Sequence, residues 1–556
     1  MTKFDEAEGK KKLAELYEKE AEDLARILAQ KHAIPYLDLS RITIDLDSLK
    51  ILSENEAREG EMAVFQSIGR RLQIAVKNPE LLKTKEIVDD LRRKQYEPEL
   101  FQVSEMSMKK AFSRYPEIPA FVEVSSGIID ISPAKLESFK EKVTGLESLK
   151  ELLTQVSAAR ESRKVSEVVE ILLAGSLSLE ASDIHIEPEE DRANIRFRLD
   201  GVLVDVISFT KNIYQLLASR IKLISEIKLN IKDRAQDGRF TIRTKEHDIE
   251  ARTAVLPGPY GESIVLRVLQ PQAISMSFEN LGMRPELLEI IASELKRPNG
   301  MILTTGPTGS GKTTTLYAFI KKIATPEIKI VTIEDPIEYR LPGITQTQVD
   351  QKKGYDFSNG LRSILRQDPD IILVGEIRDF ETAEISMHAA LTGHLVFSTL
   401  HTNDAAGTIP RLIDLGVKPN IIAPAINVSM AQRLVRKLCP NCAKKTEAEN
   451  NELEFIKKGV RSLPAKYKKP ELAGLTLPRP GKCKACNETG YKGRVGIFEA
   501  ILIDEKMERM ILESPSEAAI LNAAKEQGIL TLTQDGILKV LEGITSLEEL
   551  RRVAGE

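Results

Sequence analysis

The stretch Met301-Ile-Leu-Thr-Thr305-Gly306-Pro307-Thr308-Gly309-Ser310-Gly311-Lys312-Thr313-Thr314 decides the fold. Met301 to Thr305 reads as a buried strand, Gly306 to Gly311 as a glycine-rich loop, and Thr314 to Ile320 as the body of a helix. The run satisfies G-x-x-x-x-G-K-[ST] in the strand-loop-helix setting that gives the motif its meaning. Its glycines let backbone N–H groups converge on phosphate oxygens, and the helix N-terminus adds partial positive charge at the same point. Lys312 is expected to reach the β- and γ-phosphates and the Thr313 hydroxyl to ligate Mg²⁺. The stretch therefore predicts a nucleoside-triphosphate site with Mg²⁺, formed by Gly306, Pro307, Thr308, Gly309, Ser310, Gly311, Lys312, Thr313 and Thr314.

Downstream, apolar strands alternate with helices in the pattern of a parallel sheet: Met301 to Thr305, Ile328 to Ile333, Ile371 to Val374 and Leu395 to Thr399. Two of these strands end in acids, Glu334-Asp335-Pro-Ile-Glu338 and Gly375-Glu376. In a parallel sheet the C-terminal ends of the strands share one edge, so these carboxylates are expected beside the phosphate loop, near Mg²⁺ and the attacking water. Glu334 and Glu376 are the expected bases, because each is anionic at neutral pH. A solvated strand terminus is the plain alternative for either acid taken alone.

The 556 residues exceed one compact domain and imply three or four. Hydrophobic residues at 42% and charged residues at 29% place the chain among folded globular proteins. Lys plus Arg number 79 against 83 Asp plus Glu, a formal charge of -4. That balance supplies no bulk field for a polyanion, so no direct nucleic-acid partner is expected. Without an apolar stretch of bilayer length or a secretory leader at its start, the chain is expected in the cytoplasm.

The N-terminal portion opens with a helical pattern, Lys10 to Ala33. Short apolar runs follow at Ile42 to Leu49, Ala63 to Phe65 and Leu72 to Val76, with a helix near Thr84 to Lys94, and the unit is expected to close near Tyr115. A Lys/Glu-rich segment, Pro133 to Arg163, reads as a connector. The next segment has a helix at Val165 to Leu177, strands around 181–186, 193–198 and 202–207, and a helix at Ile213 to Ile224. Strands near 239–243, 248–255 and 263–268 complete an α+β domain. The four cysteines form two C-x₂-C pairs, Cys439 with Cys442 and Cys483 with Cys486. Each pair can place two thiolates on one tetrahedral metal, which predicts structural Zn²⁺, redox chemistry and free thiols being the alternatives. The spacing between the pairs is longer than in common zinc templates, so the residues between them must form their own excursion.

Four boxes taken together resemble the secretion ATPases of bacterial type II secretion and type IV pilus assembly. They are the phosphate loop, the acidic box Thr332 to Tyr339, the stretch from Leu361-Arg362 through Arg366 and Asp370 to Gly375-Glu376-Ile-Arg378-Asp379, and the histidine box from Thr392-Gly393-His394 to His401-Thr402-Asn403. Upstream, Ala181 to Pro188, Arg196 to Gly201 and Gln236-Asp237-Gly238-Arg239 resemble the family's N2 domain. The resemblance implies an α/β protein built on a RecA-like P-loop NTPase core. It places an α+β (PAS-like) N2 domain before the core, a small N-terminal α/β domain at the start, and a tetracysteine zinc subdomain and helical tail after the core. The boundaries expected are 1–120 for the N-terminal N1 docking domain, 121–164 for a helical linker, 165–280 for N2, 281–435 for the core, 436–495 for the zinc subdomain and 496–556 for the tail.

The same resemblance implies a homohexamer in which N2 arginines, with Arg198, Arg220 and Arg239 as candidates, neutralise the γ-phosphate, and in which His401 senses it. It implies docking through N1 onto the inner-membrane platform and docking proteins of a pilus or secretion system, hence peripheral association at the cytoplasmic face. The cysteine subdomain, absent from retraction motors, favours an assembly or secretion motor. The Arg-Leu-Gly pattern by which some relatives bind cyclic dinucleotides is not visible. A DNA translocase and a non-hydrolytic nucleotide-gated adaptor are the rival readings.

Overall fold

The computed structural model describes residues 19–42, 44–49, 51–68, 70–93, 96–115, 128–130, 138–139, 142–143, 145–157, 164–244, 248–269 and 276–555. The chain divides into two units, 1–124 and 125–556. In the first, residues 19–32 are helical; residues 10–18 of the expected helix lie outside the described residues. The strands β1 (Met62–Ile68) and β2 (Arg71–Val76) pair antiparallel, and β3 (Glu97–Gln102) joins β2 in parallel. The helix Leu82–Arg93 turns Ile87, Val88 and Leu91 inward, as the i, i+1, i+4 spacing requires. The apolar run 42–49 holds a short helix, Leu46–Leu49. Asp45 decides this, because its carboxylate accepts from the backbone N–H and hydroxyl of Ser48 and so starts a helical turn.

In the second unit the sheet of the segment expected as N2 contains β4 (Ile128–Asp130), β5 (Asp183–Pro188), β6 (Arg192–Leu199), β7 (Val202–Thr210), β8 (Gln236–Arg243), β9 (Asp248–Gly258) and β10 (Gly261–Val268). Their order is β4-β8-β9-β10-β5-β6-β7, antiparallel except where β4 meets β8. Burial alternates along β6 as period two demands: Ala193, Ile195, Phe197 and Leu199 face inward. Helices Lys164–Ser178 and Lys211–Ile224 accompany this sheet. Lys222 lies inside, its ammonium donating to Glu262 and to the Ile231 carbonyl, each at 2.7 Å.

The core sheet comprises β11 (Gly300–Thr305), β12 (Ile330–Glu334), β13 (Thr345–Gln348), β14 (Ile371–Val374), β15 (Leu395–Leu400), β16 (Ile426–Leu438) and, after the hairpin β17 (Lys444–Glu447) and β18 (Thr476–Arg479), β19 (Tyr491–Leu502). Its order is β13-β12-β14-β15-β11-β16-β19, and β19 alone among these runs antiparallel to its neighbour. The central strands are buried on both faces and therefore read as unbroken apolar runs. Met301, Leu303, Val331, Ile333, Ile372 and Val374 pack into one layer, while Ile302, Leu373, Phe397 and Met430 pack into the other with the helix Lys312–Ile323.

The long pair β16 and β19 was not foreseen as part of this sheet. The expected boundaries at 435/436 and 495/496 fall inside these two strands, so the cysteine pairs sit where the paired strands run out. Four helices, Glu505–Leu512, Glu517–Glu526, Leu532–Leu541 and Leu547–Ala554, form the tail. Among the described residues no helix is long and apolar enough to cross a membrane.

Candidate functional site

Parallel pairing of β11 with β15, β15 with β14 and β14 with β12 brings the C-terminal ends of all four strands to one edge. The phosphate loop, Glu334, Glu376 and His401 all leave the sheet there. In the loop, Gly306, Gly309 and Gly311 have φ of 145°, 80° and 90°. A side chain on Gly306 would also put its Cβ 2.6 Å from the Gln432 carbonyl oxygen, so glycine is required twice over. Helix Lys312–Ile323 starts at Gly311, and the Lys312 ammonium donates to the carbonyls of Gly306 at 2.7 Å and Pro307 at 3.2 Å. The Ser310 hydroxyl is buried without a hydrogen-bond partner, an orphan polar group within the loop. Such a loop fits a phosphate chain.

Burial pulls the Lys312 ammonium below its ordinary range, the Glu376 charge opposes that fall, and Arg433 adds to it. An added anion at this lysine would favour the charged form. Glu376 is held on both oxygens: Oε1 meets Arg378 at 2.5 Å and Oε2 meets His401 Nε2 at 3.1 Å. The loop carrying His401 is fastened to the phosphate-loop strand by Thr305, whose hydroxyl accepts from the Thr402 N–H at 2.8 Å and lies 2.7 Å from the Thr402 hydroxyl.

Glu334 takes a different position. It is buried, accepting from the Tyr317 hydroxyl at 2.5 Å, from Thr332 at 2.6 Å and from Gln346 at 3.2 Å. Tyr317 belongs to the helix that begins at Lys312, so this bond ties the acidic box to the phosphate-loop helix. Burial and the Glu334 carboxylate drive the Tyr317 phenol far above its ordinary value, and the hydroxyl keeps its proton as donor.

His394 is separated from this group. It precedes β15, so it lies at the opposite edge of the sheet, with Nδ1 3.0 Å from the Ala389 carbonyl. The histidine box holds both His394 and His401, and the length of β15 between them puts them at opposite edges of the sheet.

Of the N2 arginines, Arg198 contacts Asp183 through Nε at 3.2 Å, the Gly201 carbonyl at 3.3 Å and His185 at 3.3 Å. Arg220 is half-buried, which pulls its guanidinium down against the charge of Glu170. Arg239 is exposed on β8. The arginine that reaches the acidic box is Arg252, whose Nη2 donates to the Ile337 carbonyl at 2.5 Å and whose Nη1 lies 3.7 Å from Glu338.

Three further residues escaped sequence reading because they lie on β16 or in a helix that looked merely apolar. Gln432 accepts from the Thr315 hydroxyl at 2.8 Å, Arg433 donates to the Gln432 and Asn403 carbonyls at 3.0 and 2.5 Å, and Tyr317 holds Glu334. No motif marks them: Gln432 is one of three buried polar residues on β16, with Asn427 and Ser429, and Arg433 is half-buried.

The cysteines form a second, distinct centre. Their four Sγ atoms lie within 4.8 Å of one another. Adjacent pairs stand 3.8 Å (Cys439 and Cys483), 3.7 Å (Cys442 and Cys486) and 3.6 Å (Cys483 and Cys486) apart. Tetrahedral Zn–S bonds of about 2.3 Å require sulfur edges of about 3.8 Å. Gly481 lets the Cys442 carbonyl approach, since a Cβ there would lie 1.9 Å from that oxygen, and the Gly490 N–H donates to Cys486 Sγ at 3.2 Å.

The family model "Type II/IV secretion system protein" matches residues 158–552. Type II secretion system protein E of Dickeya dadantii is 44% identical over 389 residues, covering 70% of this chain and 75% of that protein. Type IV pilus assembly ATPase PilB of Myxococcus xanthus is 35% identical over 539 residues, covering 96% of this chain and 91% of that one. The X-ray structure of the Legionella pneumophila ATPase DotB shares the fold with a TM-score of 0.50 at 22% identity, over 69% of this chain and 94% of that one.

Proposed function

We propose, from the premise that this chain belongs to the type II/IV secretion system protein family, that it is a hexameric ATPase driving pilus assembly or type II secretion. It binds MgATP on the loop Gly306 to Thr314, with Lys312 on the β- and γ-phosphates and Thr313 toward Mg²⁺. The ion would offset the charge that develops on the phosphates. Glu376 orients and activates the attacking water; Arg378 and His401 hold its carboxylate in place. Glu334, gripped by Tyr317, couples the acidic box to the phosphate-loop helix. Arg198, Arg220 and Arg239 are the N2 groups offered to the γ-phosphate when N2 closes on the core. Nucleotide contacts made only in the closed arrangement would convert binding energy into rigid-body motion.

Residues 1–120 are the docking module for membrane platform proteins, which would hold the motor peripherally at the cytoplasmic face of the inner membrane. The tetracysteine centre carries Zn²⁺ as a structural ion. The observation that supports hydrolysis over passive nucleotide gating is Glu376, a fixed carboxylate whose charge acts on Lys312 across the same sheet edge.

The test is steady-state phosphate release from the full chain. It should be present in the wild type and lost in Lys312→Ala and Glu376→Gln. A wild type assembled as a ring that binds ATP and releases no phosphate would establish the adaptor instead. Stimulation by DNA with steep salt dependence would favour a translocase.

A further inference from the structure

Pairing register across the N2 sheet sets Arg239 of β8 opposite Arg252 of β9, and Arg252 opposite Arg267 of β10. It continues with Arg267 opposite Asp183 of β5 and Asp183 opposite Arg198 of β6. Five neighbouring strands thus carry four guanidinium groups and one carboxylate in a single line on one face. Like charges directly opposed in a sheet are destabilising. Asp183 relieves one end of the line, meeting Arg267 Nε at 3.1 Å and Arg198 Nε at 3.2 Å.

Arg252 has an arginine on either side and finds its acceptors elsewhere. Nε meets Glu250 at 3.1 Å, Nη2 donates to the Ile337 carbonyl at 2.5 Å, and Nη1 lies 3.7 Å from Glu338. Its side chain is only 21% exposed. A local rule of sheet design is broken here, and the compensation comes from a loop of the core, which is the pattern of a functional constraint.

That loop leaves β12 directly after Glu334 and returns to pair as β13. It is therefore gripped at two points: Tyr317 of the phosphate-loop helix holds Glu334, and Arg252 of N2 holds Ile337 and Glu338. Glu338 also acts on both Tyr317 and Tyr339.

We propose that Arg252 is a positioning residue for ATP hydrolysis, fixing the acidic loop behind Glu334 to the N2 sheet so that movement of N2 alters where that loop stands against the phosphate site. The inference rests on the ATPase reading above and deepens it. It assigns Arg252 no contact with nucleotide. Loss of its bonds should therefore appear in the rate of turnover and leave ATP affinity unchanged.

The experiment measures phosphate release and fluorescent-ATP binding by the full chain in wild type, Arg252→Ala, Arg252→Lys, Glu338→Gln and the double variant Arg252→Ala with Glu338→Gln. Loss of a charged hydrogen bond should lower the Arg252→Ala kcat about tenfold or more, with KM and nucleotide affinity within about twofold of wild type. Arg252→Lys keeps the charge without the planar fork and should recover part of the rate only. The double variant should be no slower than Arg252→Ala, because both changes cut one connection.

A wild type without phosphate release overturns the ATPase reading itself. Given an active wild type, three results overturn the role of Arg252 alone: an unchanged kcat, a loss carried by KM, or losses that multiply in the double variant. Should Arg252→Ala fail to fold, the comparison is read on Arg252→Lys, where a wild-type kcat overturns the proposal.

Discussion

Glu376 Oε2 stands 3.1 Å from Nε2 of His401, which comes from the loop after the neighbouring strand, while Oε1 is taken by Arg378 at 2.5 Å. The carboxylate is thus oriented from two directions and has little rotational freedom left. Removing the imidazole should leave Arg378 as the remaining hold. We expect His401→Ala to lower kcat about tenfold, in line with one charged hydrogen bond, with ATP affinity little changed. Phosphate-release kinetics with a parallel binding titration check this; a wild-type kcat would show that the contact orients nothing.

Tyr317 and Glu334 meet at 2.5 Å with both side chains buried. In Tyr317→Phe one oxygen of a buried carboxylate loses its donor, which costs about 1–3 kcal/mol. The expected outcome is a lower thermal midpoint together with slower turnover, and non-additivity with Glu334→Ala of about 0.5–3 kcal/mol in a double-mutant cycle. Strict additivity would mean that the hydroxyl serves the helix and not the acidic box.

Glu549 of the last helix is fully buried, with Arg436 Nη2 of β16 at 2.8 Å and Arg552 Nη2 at 2.6 Å. Burial pushes its carboxyl up, but the Arg552 and Arg436 bonds outweigh that and hold it below the ordinary 4.5. A depressed carboxylate contributes stability that is present above its unfolded value and is lost as pH falls through the folded one. Chemical denaturation in the range below about pH 5 should show the wild type losing stability faster than Glu549→Gln. At neutral pH Glu549→Ala, which strands Arg436, should cost about 3–5 kcal/mol. Parallel pH profiles for the two proteins would disprove the linkage.

Much of this arrangement is legible in the sequence because parallel strands buried on both faces advertise themselves as apolar runs. Their C-terminal residues must then share an edge with the phosphate loop. Ile371–Val374 coincides with the expected strand, and β11, β12 and β15 differ from expectation by one or two residues at their ends. What stayed hidden depends on register and on contacts between distant segments. Arg239, Arg252, Arg267 and Arg198 are ordinary charges in the sequence and become one line only when five strands align. Gln432 and Arg433 sit on a strand whose partner β19 begins more than fifty residues later, so local pattern could not join them to the phosphate loop. His394 and His401 show the converse: closeness along the chain says nothing about which end of a strand a residue occupies.

The tetracysteine centre lies where β16 and β19 diverge. The Cys439 N–H donates to the Gly490 carbonyl at 2.9 Å, and the neighbouring Leu438 N–H to the Ile544 carbonyl at 2.9 Å. A metal there would close the end of the hairpin against the C-terminal helices, and its binding energy would become folding energy for that region. Elemental analysis should find one zinc per chain, and Cys439→Ser or exhaustive chelation should remove it. The thermal midpoint should then fall by more than about 5 °C, since loss of a structural ion exceeds one or two kcal/mol. ATP binding at Lys312 should survive, because the strand and helix flanking the phosphate loop are tied by Thr305 to Thr402 and by Thr315 to Gln432, several residues inward along the sheet from the cysteines. An unchanged midpoint with no metal detected would leave the four sulfur atoms as a reduced thiol cluster; a loss of ATP binding equal to the loss of stability would mean that the hairpin end and the phosphate loop unfold as one.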